Sequence, residues 1–297
     1  MTDELKKMRQ WVGRIQTDED LISPGPLRAM AALLDQDPLR AAQLECLPPL
    51  WHWLFFLAPV RHSRLAEDGH ALRGDFLPPV ALPRRMWAGG RLWFHDDIPV
   101  PSAATRTSTI KSVDAKSGRS GDLVFIEVAH DISVDGQVVL REEHDIVYRQ
   151  RQSPAAVKRI PAGTGDTVAK ARFSRQHVAD AALLFRYSAL TFNAHRIHYD
   201  RDYAVNSEGY GGLVVHGPLL ATLLVELLRE EYPDSRILEF AFRAIHPVFD
   251  AMPFRACGNL TAPHHGQLWI TDHQDRICME ATARLEPCMP GRGLAWN

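Results

Sequence analysis

Residues 216–232 read HGPLLATLLVELLREEY, and apolar residues fall on nearly every side of the helix this stretch predicts. Pro218 suits a first helical turn, where a missing N–H costs nothing. A helix that is apolar all round has to be enclosed, so it must be a buried central element. The chain beyond it reads as strands. From Arg236 to Leu285 short β-rich runs succeed one another, and WITDHQDRICMEATARL, 269–285, resembles a shorter version of a hairpin in the first half. That hairpin is DLVFIEVAHDISVDGQVVLREEHDIVYR, 122–149, with Asp135-Gly136 as its tight-turn signal, and strand character reaches back to Trp87. Two weakly similar halves, each ending in strands, point to duplication of one sheet-plus-helix unit in an α+β chain.

The remaining segments fit around these two units. Asp3 to Ile15 and Pro26 to Leu34 read as short helices separated by the SPGP break, forming an N-terminal cap. RQSPAAVKRIPAGTG, 151–165, is rich in Pro, Gly and basic residues without periodicity and reads as a linker. Residues 1–150 are therefore expected to hold the cap and a first half, and 166–297 a second. After the linker, Ser174 is placed to cap a helix over Gln176 to Ala189, where Val178, Ala182, Phe185 and Ala189 recur at helical spacing. The first half has no counterpart of the apolar helix at 216–232.

Composition narrows the partners. The chain of 297 residues is 45% hydrophobic and 24% charged, with a formal net charge of -2, which favours neither nucleic acid nor an anionic membrane. Cys46, Cys257, Cys278 and Cys288 form no C-x-x-C pair, so reduced, buried thiols are expected instead of a zinc ribbon or disulfide framework. MTDELKKMRQ carries Asp3 and Glu4 and lacks a following apolar stretch, unlike a secretory signal. LWHWLFFLAPV, 50–60, is too short to span a bilayer, and the expectation is a cytoplasmic protein.

The chemistry concentrates in TFNAHRIHYD, 191–200, at the exit of the helix predicted over 176–189. It places Asn193, His195, His198 and Asp200 within ten positions. A lone histidine in a soluble protein is more often structural than catalytic, so context decides. Here the context is a family resemblance. The second half is similar to the MaoC-like R-specific enoyl-CoA hydratases, whose G-D-x-N-P-x-H signature precedes an HG-initiated central helix; NAHRIH and HGPLLATLL stand at those places. LPRRMWAGG, EEHDIVYR and FNAHRIHYD resemble the double hot-dog subgroup of itaconyl-CoA and mesaconyl-CoA hydratases and type 2 3-hydroxyacyl-thioester dehydratases, over most of the chain after about Leu50.

The resemblance implies a double hot-dog fold in which each sheet wraps a helix, and a hydro-lyase adding water reversibly across an enoyl-CoA double bond. That reaction needs a base for water, an acid for the α-carbon and donors to the thioester oxygen. His198 stands at the family's catalytic histidine, and Gly217, at the start of the central helix, at the position whose N–H polarises the carbonyl. The family's catalytic Asp is replaced by Asn193, and an amide cannot act as a general base. Either His198 moves the protons while Asn193 orients water, or a carboxylate such as Asp200 or Glu208 substitutes.

His195, Arg196, His216, Arg84, Arg85 and Trp87 are the candidate substrate contacts. Guanidinium and indole suit the phosphates and adenine of CoA, although the Arg84, Arg85 and Trp87 cluster can equally be an interface between the halves. His195, His198 and His216 could share a metal, but nothing in the resemblance calls for one, and no cofactor is expected beyond the CoA of the substrate. His264-His265 reads as an exposed hairpin tip. A substrate carboxylate would call for a buried Arg, for which Arg196 stands in the right stretch, whereas a long acyl chain would draw on a tunnel of Trp51, Trp53, Phe55 and Phe56, with the first half as a binding wall that has lost its own catalytic site. A homodimer or higher homo-oligomer is expected. Three activities stay open: hydration of a short enoyl-CoA, with dicarboxylic groups such as itaconyl or mesaconyl among the candidates, dehydration of longer 3-hydroxyacyl thioesters on CoA or acyl-carrier protein, and a thioesterase or non-catalytic acyl-binding role.

Overall fold

The structure, a computed structural model, describes residues 2–118, 121–150 and 170–287. The expected linker at 151–165 and Cys288 lie outside the described residues. Strands β1 (Ile15–Ile22), β2 (Arg84–Phe94), β3 (Ser102–Gly118), β4 (Gly121–Val134) and β5 (Gln137–Arg149) come from the first half of the chain. Strands β6 (Phe173–Val178), β7 (Ser235–Ala244), β8 (Pro253–Ala262), β9 (His265–Thr271) and β10 (Ile277–Pro287) come from the second. All join one antiparallel sheet in the order β1-β3-β4-β5-β2-β7-β10-β9-β8-β6. Outward from the central β2–β7 pair, the two halves repeat the same succession, as expected of a duplicated unit.

The seam between the halves depends on backbone approach. At Gly89 a Cβ would lie 2.4 Å from the carbonyl oxygen of Phe242, so only glycine lets β2 and β7 come together there. Asp135 and Gly136 both take positive φ and close the β4–β5 hairpin, and the His264 turn, also at positive φ, closes β8–β9 as an exposed tip.

Helices α1 (Thr2–Met8), α2 (Pro24–Leu33), α3 (Pro38–Ala41), α4 (Ala181–Leu190) and α5 (Gly217–Glu231) complete the described elements, with short 3-10 turns and one π-helical turn, Tyr203–Ser207, between them. The stretch 216–232 is the enclosed helix its composition requires: α5 packs against β8, β9 and β10, and Leu219, Ala221, Leu224, Val225 and Leu228 are wholly buried. Its Glu226 is buried too. The carboxylate accepts from Trp51 Nε1 and Gln36 Nε2, each at 3.0 Å, and pairs with Arg229, tying the central helix to the first-half segment that lies over it. Between α2 and β2, the stretch of the first half that corresponds in chain order to the one holding α5 in the second, the described residues form only α3, short 3-10 turns and loops.

Two helix expectations are corrected. The segment expected to be helical over Asp3 to Ile15 stops at Met8; Gly13 turns at φ 83° and Ile15 opens β1. Ser174 caps nothing: it lies in β6 opposite Cys257, and Asp180 caps the following helix by accepting from Leu183 N–H at 2.7 Å. Both missed strands are sheet edges whose exposed side chains do not alternate in hydrophobicity, so their pairing partners, distant in sequence, decide their state. Among the described residues no helix is long and apolar enough to cross a membrane. Cys257 and Cys278 are buried free thiols, and Cys46 is a half-buried one.

Candidate active site

The turn after α4 is built by its own side chains. Phe192 takes a positive φ of 49° and reverses the chain, and the Asn193 side-chain oxygen accepts from His195 N–H at 3.0 Å, an Asx turn. A 3-10 turn over Arg196–His198 then aims His198 inward, where it is 7% exposed. Its Nδ1 lies 2.7 Å from the carbonyl oxygen of Val214, which can only accept, so Nδ1 carries the proton and Nε2 keeps its lone pair. Burial pushes the imidazole down to about 4, against the Val214 bond, so it is neutral at physiological pH.

Two further histidines frame it. The His216 ring stacks on His198 with centroids 3.7 Å apart, and its Nε2 lies 2.9 Å from Ser188 Oγ. Burial holds His216 far below the usual imidazole range, and the neighbouring His198 and His195 lower it further. His195 crosses His198 edge-on at 5.4 Å, and burial depresses it as well. Gly217 opens α5 on the wall of the same cavity; Pro218 has no N–H, so Gly217 supplies the free first-turn donor at that wall.

A third element arrives from the first half. The loop carrying Asp68 and His70 docks on the turn after α4: Arg196 N–H donates to the Asp68 carbonyl at 2.9 Å, and Gly69, at φ 88°, lies so close that a Cβ would sit 1.8 Å from the Ala194 carbonyl oxygen. Asp68 Oδ2 accepts from His70 Nδ1–H at 2.9 Å, leaving His70 Nε2 as an acceptor, and the His70 ring lies 4.0 Å from that of His195. Burial opposes the Asp68 charge, but the His70 hydrogen bond holds its carboxyl well below the usual range. His70 is lowered by burial and by Arg85, with Asp68 opposing. Sequence reading missed this pair, although a glycine between two ionisable residues at 68–70 was its local signal.

These groups line a cavity of about 900 Å³, and a second of about 1150 Å³ shares His70, Arg85 and Asn193 with it. Not every expected site residue faces this space. Arg196 and Asp200 line neither cavity: they pair with each other at 2.7 Å, and Arg196 covers the Tyr203 ring. Glu208 lines the first cavity but is bound to Arg84 at 2.6 Å, so neither of the two candidate carboxylates is free to replace the missing Asp. Arg84 accordingly ties β2 to the 203–208 segment, the interface reading of that arginine, and Arg85 remains without a partner among the described residues. Trp87 lines the first cavity beside Trp53 and His144. Trp53, Phe55 and Phe56 line it also, whereas Trp51 is spent on Glu226.

The far wall holds a second polar group that the sequence did not reveal. Glu142 of the EEHDIVYR stretch is almost fully buried and accepts from His52 Nε2 at 3.0 Å and Trp53 Nε1 at 2.8 Å, with His144 Nε2 at 2.5 Å. Burial opposes its charge, and His144 and His52 outweigh it, keeping it ionised. Asp68, His70 and His195 are the one group close enough to share a metal among the described residues, but the Asp68–His70 hydrogen bond already engages one donor of each.

Residues 50–250 match the family model of hydroxyacyl-thioester dehydratase type 2. The chain is 45% identical over 247 residues to a mesaconyl-C(4)-CoA hydratase of Chloroflexus aurantiacus, covering 82% of this chain and 86% of that one. It is 29% identical over 286 residues to the mitochondrial hydroxyacyl-thioester dehydratase type 2 of Schizosaccharomyces pombe, covering 85% and 91%. A Mycobacterium tuberculosis protein described as a double hot-dog fold superimposes with a TM-score of 0.58 at 12% identity, over 93% of this chain and 96% of that one. The expected fold, an α+β double hot-dog, is borne out.

Proposed function

Since the chain belongs to the hydroxyacyl-thioester dehydratase type 2 family, as a hydro-lyase of enoyl thioesters, we propose that His198 moves the protons of its reaction and that its substrate is a short, carboxylated enoyl-CoA of the mesaconyl type. The observation that carries this is His198 itself. Its Nδ1–H is fixed on Val214, and its unoccupied Nε2 faces a cavity whose wall includes the start of α5.

Water hydrogen-bonded to His198 Nε2 gives up a proton there as its oxygen bonds to the β-carbon. The π electrons pass to the thioester oxygen, where Gly217 N–H and the positive end of α5 stabilise the developing enolate. The enolate then takes the proton back from His198 at the α-carbon, and dehydration is the same path reversed. A single imidazole suffices because burial makes its conjugate acid strong enough to return the proton. The second acceptor a water needs for orientation is His70 Nε2, held by Asp68, which restores from the first half the carboxylate that Asn193 lacks. Asn193 contributes by shaping the turn. His195 and His216 enclose the reacting group, Trp87 offers an aromatic wall to the acyl-CoA, and residues 1–150 form the binding wall against the catalytic half at 166–297.

The open edges β1 and β6, with Ile15, Leu21 and Val178 exposed, suit assembly into a homodimer or higher homo-oligomer. The test is a panel of enoyl-CoAs, mesaconyl-C4-CoA included, followed by loss of the conjugated thioester absorbance and by free thiol. Absorbance loss without thiol is expected. Thiol release in its place identifies a thioesterase, and silence across the panel overturns the proposal.

A further inference from the structure

The two arginines of LPRRMWAGG have opposite fates. Arg84 is buried against Glu208, and its neighbour Arg85 projects to the other face of β2, half-buried, with no hydrogen-bond or ion-pair partner among the described residues. Of the other arginines on the first cavity, Arg106 is paired with Asp18 and Arg276 with Asp272. Arg149 also lacks an ion pair, but it lines the first cavity alone. Arg85 lies where the two cavities meet, in the wall that also holds His70 and Asn193. Its charge acts on both His70 and His195. A partly dehydrated guanidinium without a counter-ion, beside neutral imidazoles, is a receptor for an anion delivered by the substrate.

The chemistry of the substrate says which anion. In mesaconyl-C4-CoA the free carboxylate is bonded to the β-carbon, the atom that water attacks. Its counter-cation must therefore stand beside the catalytic imidazoles, and a guanidinium at the far end of the cavity would be out of reach. The CoA phosphates, many bonds from the double bond, have no such restriction. We infer that Arg85 binds a carboxylate on the β-carbon of the enoyl thioester and so selects dicarboxylic acyl groups over simple fatty ones. This rests on the proposed hydratase reading and specifies its substrate class.

The test separates the two. Succinyl-CoA and butyryl-CoA are unreactive saturated analogues that differ in having a carboxylate or a methyl at that carbon. With wild-type protein, succinyl-CoA should compete with mesaconyl-C4-CoA about 10-fold to 100-fold more tightly than butyryl-CoA. Arg85→Gln should remove that preference while leaving butyryl-CoA affinity and the melting temperature unchanged, and Arg85→Lys should keep part of it. Hydration of 3-methylcrotonyl-CoA, which carries a methyl in place of the carboxylate, should survive Arg85→Gln. Equal weakening of both analogues would assign Arg85 to the CoA portion, and a preference abolished by Arg149→Gln instead would move the role to Arg149; either overturns the inference with the hydratase reading intact. Failure of the wild type to hydrate any enoyl-CoA would overturn the hydratase reading, whatever the analogue affinities.

Discussion

A histidine that is to take a proton from water must arrive with an open lone pair, and the Val214 carbonyl secures this for His198 by holding the proton on Nδ1. His198→Ala should cost about 100-fold to 10,000-fold in kcat with a folded protein remaining, checked by steady-state hydration beside circular dichroism. Because burial sets its pKa near about 4, the acid limb of kcat should fall toward pH 4 and not near the 6.5 of an ordinary imidazole. A limb centred at 6.5 would contradict the depression of its pKa by burial. If His70 and Asp68 supply the second acceptor, Asp68→Asn should lower kcat by about 10-fold or more, because the pair loses its fixed tautomer, whereas Asn193→Asp should be tolerated. His198, His216 and Gly217 were legible because they stand in two short runs whose spacing belongs to one motif. Asp68 and His70 were not: more than a hundred residues separate them from His198, on a loop without periodicity, and only the docked backbone brings them in.

At the level of elements, the start of α5 and the loop at 66–70 make opposite demands on glycine. A Cβ at Gly217 would meet nothing within 4 Å, so Gly217→Val should leave the helix in place. The added side chain would stand in open space on the wall of the first cavity, beside the Gly217 N–H, and should lower kcat more than it weakens CoA binding if that N–H serves the enolate. A change confined to KM would remove the oxyanion role. Gly69→Ala should instead push the loop off Ala194 and copy the loss expected of Asp68→Asn, measured as reduced kcat together with a lower melting temperature. The same contrast explains what the sequence disclosed of the fold. α5 and the β4–β5 and β9–β10 hairpins carry their pattern within themselves. β1 and β6 acquire theirs from β3 and β8, and the lack of a long helix between α2 and β2 shows only as a missing apolar run.

For the molecule as a whole, the cavity concentrates buried neutral imidazoles: His70, His130, His195, His198 and His216 are all lowered, burial being the main cause in each. Below pH 6.5 an unfolded chain protonates these rings while the folded chain resists, so the unfolded state binds more protons and stability rises with pH across this window. Asp68 and Glu142 act with depressed carboxyls, whose contribution is present above the unfolded carboxylate range and is lost only as pH falls through their folded values. Between pH 6.5 and about 4.5 the slope therefore belongs to the histidines. With a folded pKa of about 4 against 6.5, His198 alone costs about 2 kcal/mol at pH 5. Several such groups should lower the melting temperature by roughly 5 °C or more between pH 7.5 and 5. His198→Gln, which removes one of them, should make that decline shallower even if the variant is less stable at neutral pH. Calorimetric melting of both proteins across this range checks the prediction. An unchanged slope in the variant would mean that burial does not hold His198 below the ordinary imidazole range, and the strong conjugate acid on which the proposed return of the proton depends would not exist.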